Sequence, residues 1–372
     1  MEEVIIWGAA QNGLRLKREL GQHGGFHVYF FCDNNKNKIG SKLDGIDIIS
    51  FDDIVTLYHD GFNGSIAISL NEPRSVIEQI RNSEIKTKIY ITSYEWKHRI
   101  NKRYDSIGEF LFEIDVNKPQ LEYYEYHIAY HCNLKCKGCG HYSNIAVPEF
   151  GDLEQYKKDV LRLKELYWGV KRIRLMGGEP LLNVRLPEFC IVTRKVFPDA
   201  NIRVVTNGLL LPSANNEILD VMREYYIGFD ITQYPPTRNI KEKIELRCIE
   251  KDVEYILSPI VEKFFCNENI DRESDKTLNY EMCVSKKCHF LENGKMSICG
   301  VPILHNKFKD IVNKNWKVLK EDIMDLYEEG LDGFALNDFL SRPIPMCRYC
   351  DYSAIVRFEW KGNFPYLIAK EE

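Results

Sequence analysis

The chain has 372 residues, 44% of them hydrophobic and 28% charged, with a formal net charge of −5. That length holds two or three domains with their own cores, and the composition is that of an ordinary globular protein. Interspersed charges exclude an electrostatic footprint for nucleic acid, and no apolar run approaches a membrane span. The opening MEEVIIWG is acidic where a signal peptide is basic. The expected compartment is the cytoplasm, where thiols stay reduced, so the 12 cysteines are not a disulfide framework. A clustered subset points to metal or catalysis, whereas Cys32, Cys190 and Cys248 sit in apolar patterns and read as packing.

Residues 4–7 (VIIW) read as a buried strand running into Gly8. GAAQNG follows, then a helix through about Leu20 and a strand, HVYFFCD, ending at Asp33. Glycines at a strand–helix turn with an acid after the second strand open a Rossmann-type unit. Ala10 stands where the dinucleotide fingerprint has its second glycine, and its methyl occupies the place of an approaching pyrophosphate. A hairpin near KLDGIDIIS, a helix from about Phe51, the strand SIAISL, a helix from Glu72 and the strand KIYIT complete the pattern. Residues 1–95 resemble the small Rossmann-like amino-terminal domain of sugar acyltransferases and other enzymes of bacterial surface-polysaccharide assembly. The resemblance implies nucleotide or nucleotide-sugar association, or else a docking module with an empty pocket. A charged helical segment from Tyr94 to about Asn117 is expected to bridge to the next domain, with the linker set at residues 96–120.

From Leu121 strands alternate with helices, which means a parallel sheet. The strands are EYYEYHIAY, RIRLM, IRVVTNG, IGFDITQYP and VEYILSP. The helices run from about Leu153 to Tyr167 and over 185–197, 216–225 and 240–251. The first strand leads into HCNLKCKGC, with Cys132, Cys136 and Cys139. The second leads into Gly177-Gly178-Glu179-Pro180, the third into Thr206-Asn207-Gly208, and the fourth ends in Asp230, Thr232, Gln233 and Tyr234. Thiolates are the usual iron–sulfur ligands, and three without a nearby fourth leave one iron of a cubane open. A zinc knuckle and an ordinary glycine turn are the plainer readings; both motifs at this separation, on matching strands, argue against them.

Cys-x3-Cys-x2-Cys after one strand and Gly-Gly-Glu-Pro after the next resemble the radical S-adenosylmethionine enzymes. The resemblance implies an α/β fold in which residues 121–262 form a partial (β/α)6 barrel with chemistry at the strand carboxyl ends. It implies a [4Fe–4S] cluster whose open iron is chelated by S-adenosyl-L-methionine. The Gly177, Gly178, Glu179, Pro180 edge would meet the methionine amino group, with the Glu179 carboxylate suited to the ammonium. Asn207 and the polar fourth-strand residues, Gln233 among them, would lie near the ribose or the substrate. Gly138 departs from the family, which has an aromatic residue there; His141 and Tyr142 are the rings at hand.

Five more cysteines fall between Cys283 and Cys350. Asn293-Gly294 is a preferred type I′ hairpin turn. Centring the hairpin there pairs Glu292 with Lys295, Leu291 with Met296, and, further out, Cys288 with Cys299. Directly opposed side chains have Cβ atoms about 4.5–5.5 Å apart, within reach of one cluster. Cys347-x2-Cys350 adds two thiols, completing an all-cysteine site of Cys288, Cys299, Cys347 and Cys350. Residues 263–372 resemble the twitch auxiliary-cluster module, which implies a second [4Fe–4S] cluster; a structural zinc is the alternative. Cys283 competes with Cys288, and the cross-strand register favours Cys288.

A fully ligated auxiliary cluster serves electron transfer. The expected reaction is hydrogen abstraction by a 5′-deoxyadenosyl radical from a sugar or nucleotide-sugar, ending in oxidation or, with Cys266 or Cys283 as hydrogen donor, in epimerisation. The pattern assigns no catalytic acid or base. The expected partners are a small-molecule substrate and an electron donor such as flavodoxin or ferredoxin, with no nucleic acid and no membrane. A peptide-modifying maturase and a non-catalytic zinc-binding scaffold are the rival readings.

Overall fold

A computed structural model describes residues 1–269, 273–309, 311 and 316–364. The chain forms two compact units. One is Met1–Gln120 with Tyr167–Gly169 and Pro198–Ala200; the other is Leu121–Leu166, Val170–Phe197 and the described residues from Asn201 onward.

The first unit is a sheet of β1 (Glu2–Trp7), β2 (Phe26–Cys32), β3 (Lys42–Leu43), β4 (Ile46–Ile49), β5 (Ser65–Ile68), β6 (Ile89–Thr92) and β7 (Leu111–Ile114), in the order β3-β4-β2-β1-β5-β6-β7. Strands β4, β2, β1, β5 and β6 are parallel, with helices α1 (Gln11–His23), α2 (Phe51–His59) and α3 (Arg74–Arg81) in the crossovers. The unbroken apolar run of β1 is buried on both faces. Val4 and Ile6 share a core with Leu16 and Leu20 of α1, while Ile5 and Trp7 share one with Ile54 of α2 and Ile77 and Ile80 of α3.

At the β1–α1 turn, a Cβ on Gly13 would sit 2.0 Å from the Gly8 carbonyl oxygen, so only glycine fits there. Asp33 accepts hydrogen bonds from the Ala9 N–H at 3.0 Å and from Lys38 Nζ at 2.7 Å. The acid after the second strand is thus committed to bracing its own turn.

Residues 94–117 are not the expected helical bridge. The helix α4 (Tyr94–His98) is short, and β7 joins the sheet antiparallel to β6, with Leu111 opposite Thr92 and Ile114 opposite Ile89. Trp96, Tyr104 and Phe110 are buried in the α1-side core. Burial of these rings overrides the charged character of the segment.

The second unit is built on β8 (Gln120–Ala129), β9 (Gly169–Gly177), β10 (Asn201–Thr206), β11 (Gly228–Gln233) and β12 (Tyr255–Ile260). Helices α5 (Leu153–Leu166), α6 (Leu186–Val196), α7 (Asn216–Glu224), and α8 (Pro235–Arg238) with α9 (Lys241–Glu250) connect them. Strands β9 to β12 are parallel and β8 adjoins β9, as the alternating pattern requires. Period two divides the side chains. Tyr126 of β8 packs on Tyr156 of α5 and Phe189 of α6, while Tyr123, Glu125 and His127 take the opposite face. On that inner face Arg174 and Arg203 meet Asp230 at 2.7 and 3.5 Å, so its buried charges are paired.

The β8 edge is extended by β14 (Phe290–Glu292), β15 (Lys295–Ser297) and β16 (Met324–Asp325), while β13 (Lys263–Cys266) and β17 (Val356–Glu359) form a separate antiparallel pair. Helices α10 (Lys276–Met282), α11 (Val301–Lys307) and α12 (Gly333–Leu340) lie between. The hairpin turn is as read: Asn293 and Gly294 have φ of 48° and 73°, and Glu292 faces Lys295. Its ladder stops at Phe290 opposite Ser297, short of Cys288 and Cys299. Among the described residues no helix is long and apolar enough to cross a membrane.

Candidate cluster and cofactor site

The loop leaving β8 brings Cys132, Cys136 and Cys139 to one cavity of about 210 Å³. Gly177 and Gly178 at the end of β9, Asn207 after β10, and Thr232 and Tyr234 at the end of β11 line it as well. Lys135 and Gly138 have φ of 46° and 70°, and this tight winding turns the three thiols toward one space. Burial pushes the Cys132 thiol up to about 11 and the Cys136 thiol up to about 12. Thiolates in such positions need a bound cation to stabilise them. Three sulfurs on one wall, a backbone edge and room for a small molecule fit a cluster with an open iron. Among the described residues, no three His, Cys, Asp or Glu side chains converge on the position of a single metal ion.

The two glycines are required by the close approach of strand ends. A Cβ on Gly177, at φ +128°, would come 2.1 Å from the Ala129 oxygen, and one on Gly178 2.0 Å from the His131 oxygen. Glu179 is held between the strand ends. It is fully buried, and Oε1 accepts from the Leu181 N–H at 3.0 Å and from Thr206 Oγ1 at 2.7 Å, while Oε2 accepts from the Asn207 N–H at 2.9 Å. Its carboxylate ties the end of β9 to the end of β10, and Pro180 starts the 3-10 turn Pro180–Leu182 behind it. Asn207 is thereby placed in the cavity, its amide donating to Asn133 Oδ1 at 2.7 Å and standing 3.6 Å from Cys132 Sγ.

Gln233 is not among the residues that line this cavity. Its backbone N–H donates to Ser258 Oγ at 3.0 Å and its side-chain amide to the Ser258 carbonyl, toward β12. Alternation along the strand puts Thr232 and Tyr234 in the cavity in its place. Of the two rings after the cysteine loop, His141 lines the cavity, whereas the Tyr142 hydroxyl donates to Glu268 at 2.9 Å. Met176 and Phe264 line the cavity as well, and Trp360 Nε1 stands 3.2 Å from Cys136 Sγ. Parity along β9 places Met176, two residues beyond inward Arg174; nothing in the spacing links Phe264 or Trp360 to the site.

In the tail, Cys283, Cys299, Cys347 and Cys350 line one small cavity with Ile298, Ile344 and Met346. Cys283 stands where the hairpin register had placed Cys288. Asn279 of α10 donates to the Cys350 carbonyl at 2.5 Å and accepts from the Tyr352 N–H at 3.0 Å, and the Tyr352 hydroxyl donates to Cys283 Sγ at 3.2 Å. That clamp brings the end of α10 to the Cys347–Cys350 turn. Cys288 lies on a larger cavity of about 400 Å³, with Glu125, His141, Glu268 and Trp316. His141 and Phe264 line both this cavity and the one holding the first three thiols, and Cys283, Cys299 and Cys350 line the larger cavity as well. Burial pushes the Glu125 carboxyl up to about 8, although it accepts from the Tyr123 hydroxyl at 3.0 Å. Burial holds His141 down to about 4, a neutral ring paired with His127 at 3.0 Å. The buried Trp316 Nε1–H has no hydrogen-bond partner among the described residues.

Residues 126–254 match the radical SAM superfamily, and residues 1–91 match the C2185-like, N-terminal family. Residues 126–254 therefore form a radical SAM domain, and a domain of that superfamily implies a [4Fe–4S] cluster and S-adenosylmethionine. It is 26% identical over 153 residues to the GTP 3′,8-cyclase of Sulfurovum sp. (strain NBC37-1), covering 39% of this chain and 45% of that protein. It is 34% identical over 107 residues to the GTP 3′,8-cyclase of Pelotomaculum thermopropionicum, covering 27% of this chain and 31% of that one. The chain thus spans less than half the length of these two curated relatives. The crystal structure of BtrN in complex with AdoMet and 2-DOIA is similar at 17% identity and a TM-score of 0.37, over 60% of this chain and 83% of that one.

Proposed function

We propose that the chain takes a hydrogen atom from a hydroxyl-bearing, sugar-type small molecule and oxidises it. Cys132, Cys136 and Cys139 would hold the cluster that binds S-adenosylmethionine, and Cys283, Cys299, Cys347 and Cys350 an auxiliary cluster. The observation that carries this reading is the cavity of about 400 Å³, which shares His141 and Phe264 with the cavity of the first thiol set and is also lined by Cys283, Cys299 and Cys350 of the second. Bound at these two places, the groups supply a 5′-deoxyadenosyl radical and an electron acceptor. Oxidation of a carbinol to a carbonyl removes a hydrogen atom, an electron and a proton, and the proton needs a protein acceptor. Glu125, raised to about 8 by burial, would hold the hydroxyl and, in the ionised form that grows as pH rises toward 8, take that proton. The Trp316 N–H, buried on the same wall, offers a donor to a second oxygen.

A second reading, epimerisation, has its own support. Cys288 lines the cavity, lies outside the tail set, and is pushed up to about 12 by burial and by Glu125, so it stays a thiol able to return a hydrogen atom. It would replace Cys266 and Cys283 as the donor. A small redox protein such as flavodoxin or ferredoxin would supply electrons. The test is anaerobic reconstitution with metal analysis, then incubation with S-adenosylmethionine and panels of nucleotide-sugars, GTP and peptides. Nucleotide-sugars should raise 5′-deoxyadenosine above the uncoupled level and give a product two hydrogens lighter; a mass-neutral product with one solvent deuterium in heavy water marks epimerisation. A response to GTP or to peptides alone overturns the sugar reading, and zinc in place of iron overturns the whole.

A further inference from the structure

Residues 360–364 lie along the cysteine loop. The Lys137 N–H donates to the Lys361 carbonyl at 2.8 Å, and the N–H groups of Asn363 and Phe364 donate to the carbonyls of Leu134 and Lys135 at 2.9 and 2.8 Å. The Asn144 amide donates to the Phe364 carbonyl at 3.1 Å, and the Lys137 ammonium stands 5.3 Å from the ring centres of Phe358 and Phe364. The main chain between the thiols thus finds its partners in a segment more than two hundred positions away in sequence. Within this strap the Trp360 indole donates to Cys136 Sγ at 3.2 Å and stacks on Tyr234 with ring centres 5.9 Å apart and planes at 24°. The Trp360 backbone N–H is anchored on the Glu262 carbonyl at 2.7 Å. The donor is therefore fixed from both the ring and the main chain.

We propose that the Trp360 N–H sets the reduction potential of the cluster held by Cys132, Cys136 and Cys139, with the 360–364 strap orienting the indole. The inference rests on the assignment of those three thiols as ligands. Reduction of a thiolate-ligated cluster adds negative charge that spreads onto the sulfurs. An N–H donor to one ligand sulfur binds the reduced form more strongly than the oxidised form and raises the potential. Trp360 is a positioning residue in this scheme, because it acts through Cys136 and touches no reacting atom.

The experiment is a potentiometric titration of the reconstituted full-length protein followed by electron paramagnetic resonance. The cluster of interest is the one whose signal changes when S-adenosylmethionine is added, since only an open iron responds. Trp360→Phe keeps a ring for Tyr234 and removes the donor. Its midpoint should fall by the equivalent of about tenfold in the reduction equilibrium, about 59 mV for one electron. Hydrogen exchange at the Lys137 amide reports whether the strap stays in place. A fall in potential with that amide still protected supports the proposal. An unchanged or higher potential overturns it, as does a fall accompanied by loss of protection, which would assign the effect to the strap. Were the S-adenosylmethionine-responsive signal to survive Ala at all three loop cysteines, the ligand assignment itself would fail, independently of Trp360.

Discussion

The two cysteine sets of the second unit are assembled in opposite ways. Cys132, Cys136 and Cys139 come from one loop after β8, wound locally at Lys135 and Gly138, and they line one cavity. Cys283, Cys299, Cys347 and Cys350 come from the end of a helix, the far side of a hairpin and a 3-10 turn, with Asn279 and Tyr352 tying α10 to the Cys347–Cys350 turn. A site made by one loop is readable from its spacing. A cavity made by several elements is not readable from spacing, and here Cys283 lines it where the hairpin register favoured Cys288.

The largest effect expected from that contrast is loss of function. Replacing Cys132, Cys136 and Cys139 by Ala should abolish 5′-deoxyadenosine formation and remove roughly half the iron, as for two cubanes, while the tail set keeps its own. Retained cleavage of S-adenosylmethionine would sink the assignment. Next comes the choice within the tail. Cys283→Ala should empty the auxiliary site, read as iron per chain and loss of the signal that ignores S-adenosylmethionine, whereas Cys288→Ala should leave the iron unchanged. The reverse outcome restores the hairpin register as the guide.

Stability should also separate the two sets. Glu179→Ala leaves the buried N–H groups of Leu181 and Asn207 without their acceptor and should cost on the order of 3 kcal/mol in urea unfolding of the metal-free chain. Binding of S-adenosylmethionine should fall with it, since Asn207 loses its anchor. If Glu179→Ala weakens binding and leaves stability untouched, the carboxylate meets the cofactor after all.

The last effect expected is a pH slope, which develops only toward the alkaline end of its window. The Glu125 carboxyl is raised from an ordinary 4.5 to about 8 by burial, so between these values the folded chain binds a proton that the unfolded chain has released. Its contribution is fully present below about 4.5 and is lost as pH rises through about 8. Glu125→Gln should flatten the fall in urea midpoint across that window, by on the order of a few kcal/mol at its alkaline end. An unchanged slope would mean that Glu125 is not the buried acid of the cavity wall.

By itself the sequence determined whatever depends on neighbours along the chain. The period-two runs and their alternation with helices specify strands β8 to β12 and the layers of both units. The Asn293-Gly294 pair specifies the hairpin register, and the Cys132, Cys136, Cys139 spacing specifies one loop with three thiols. Each follows from backbone geometry over a few residues. Tertiary structure decided what depends on parity at strand ends and on distant partners. It faced Thr232 and Tyr234 rather than Gln233 into the cavity, drew the Glu179 carboxylate under Asn207, and paired β7 with β6 where a helical bridge was expected. It also set Cys283 beside Cys350 and brought Trp360 to Cys136. The physical reason is the same in each case: a side chain's place was settled by which buried donor, acceptor or ring it had to satisfy, and those partners are remote in sequence.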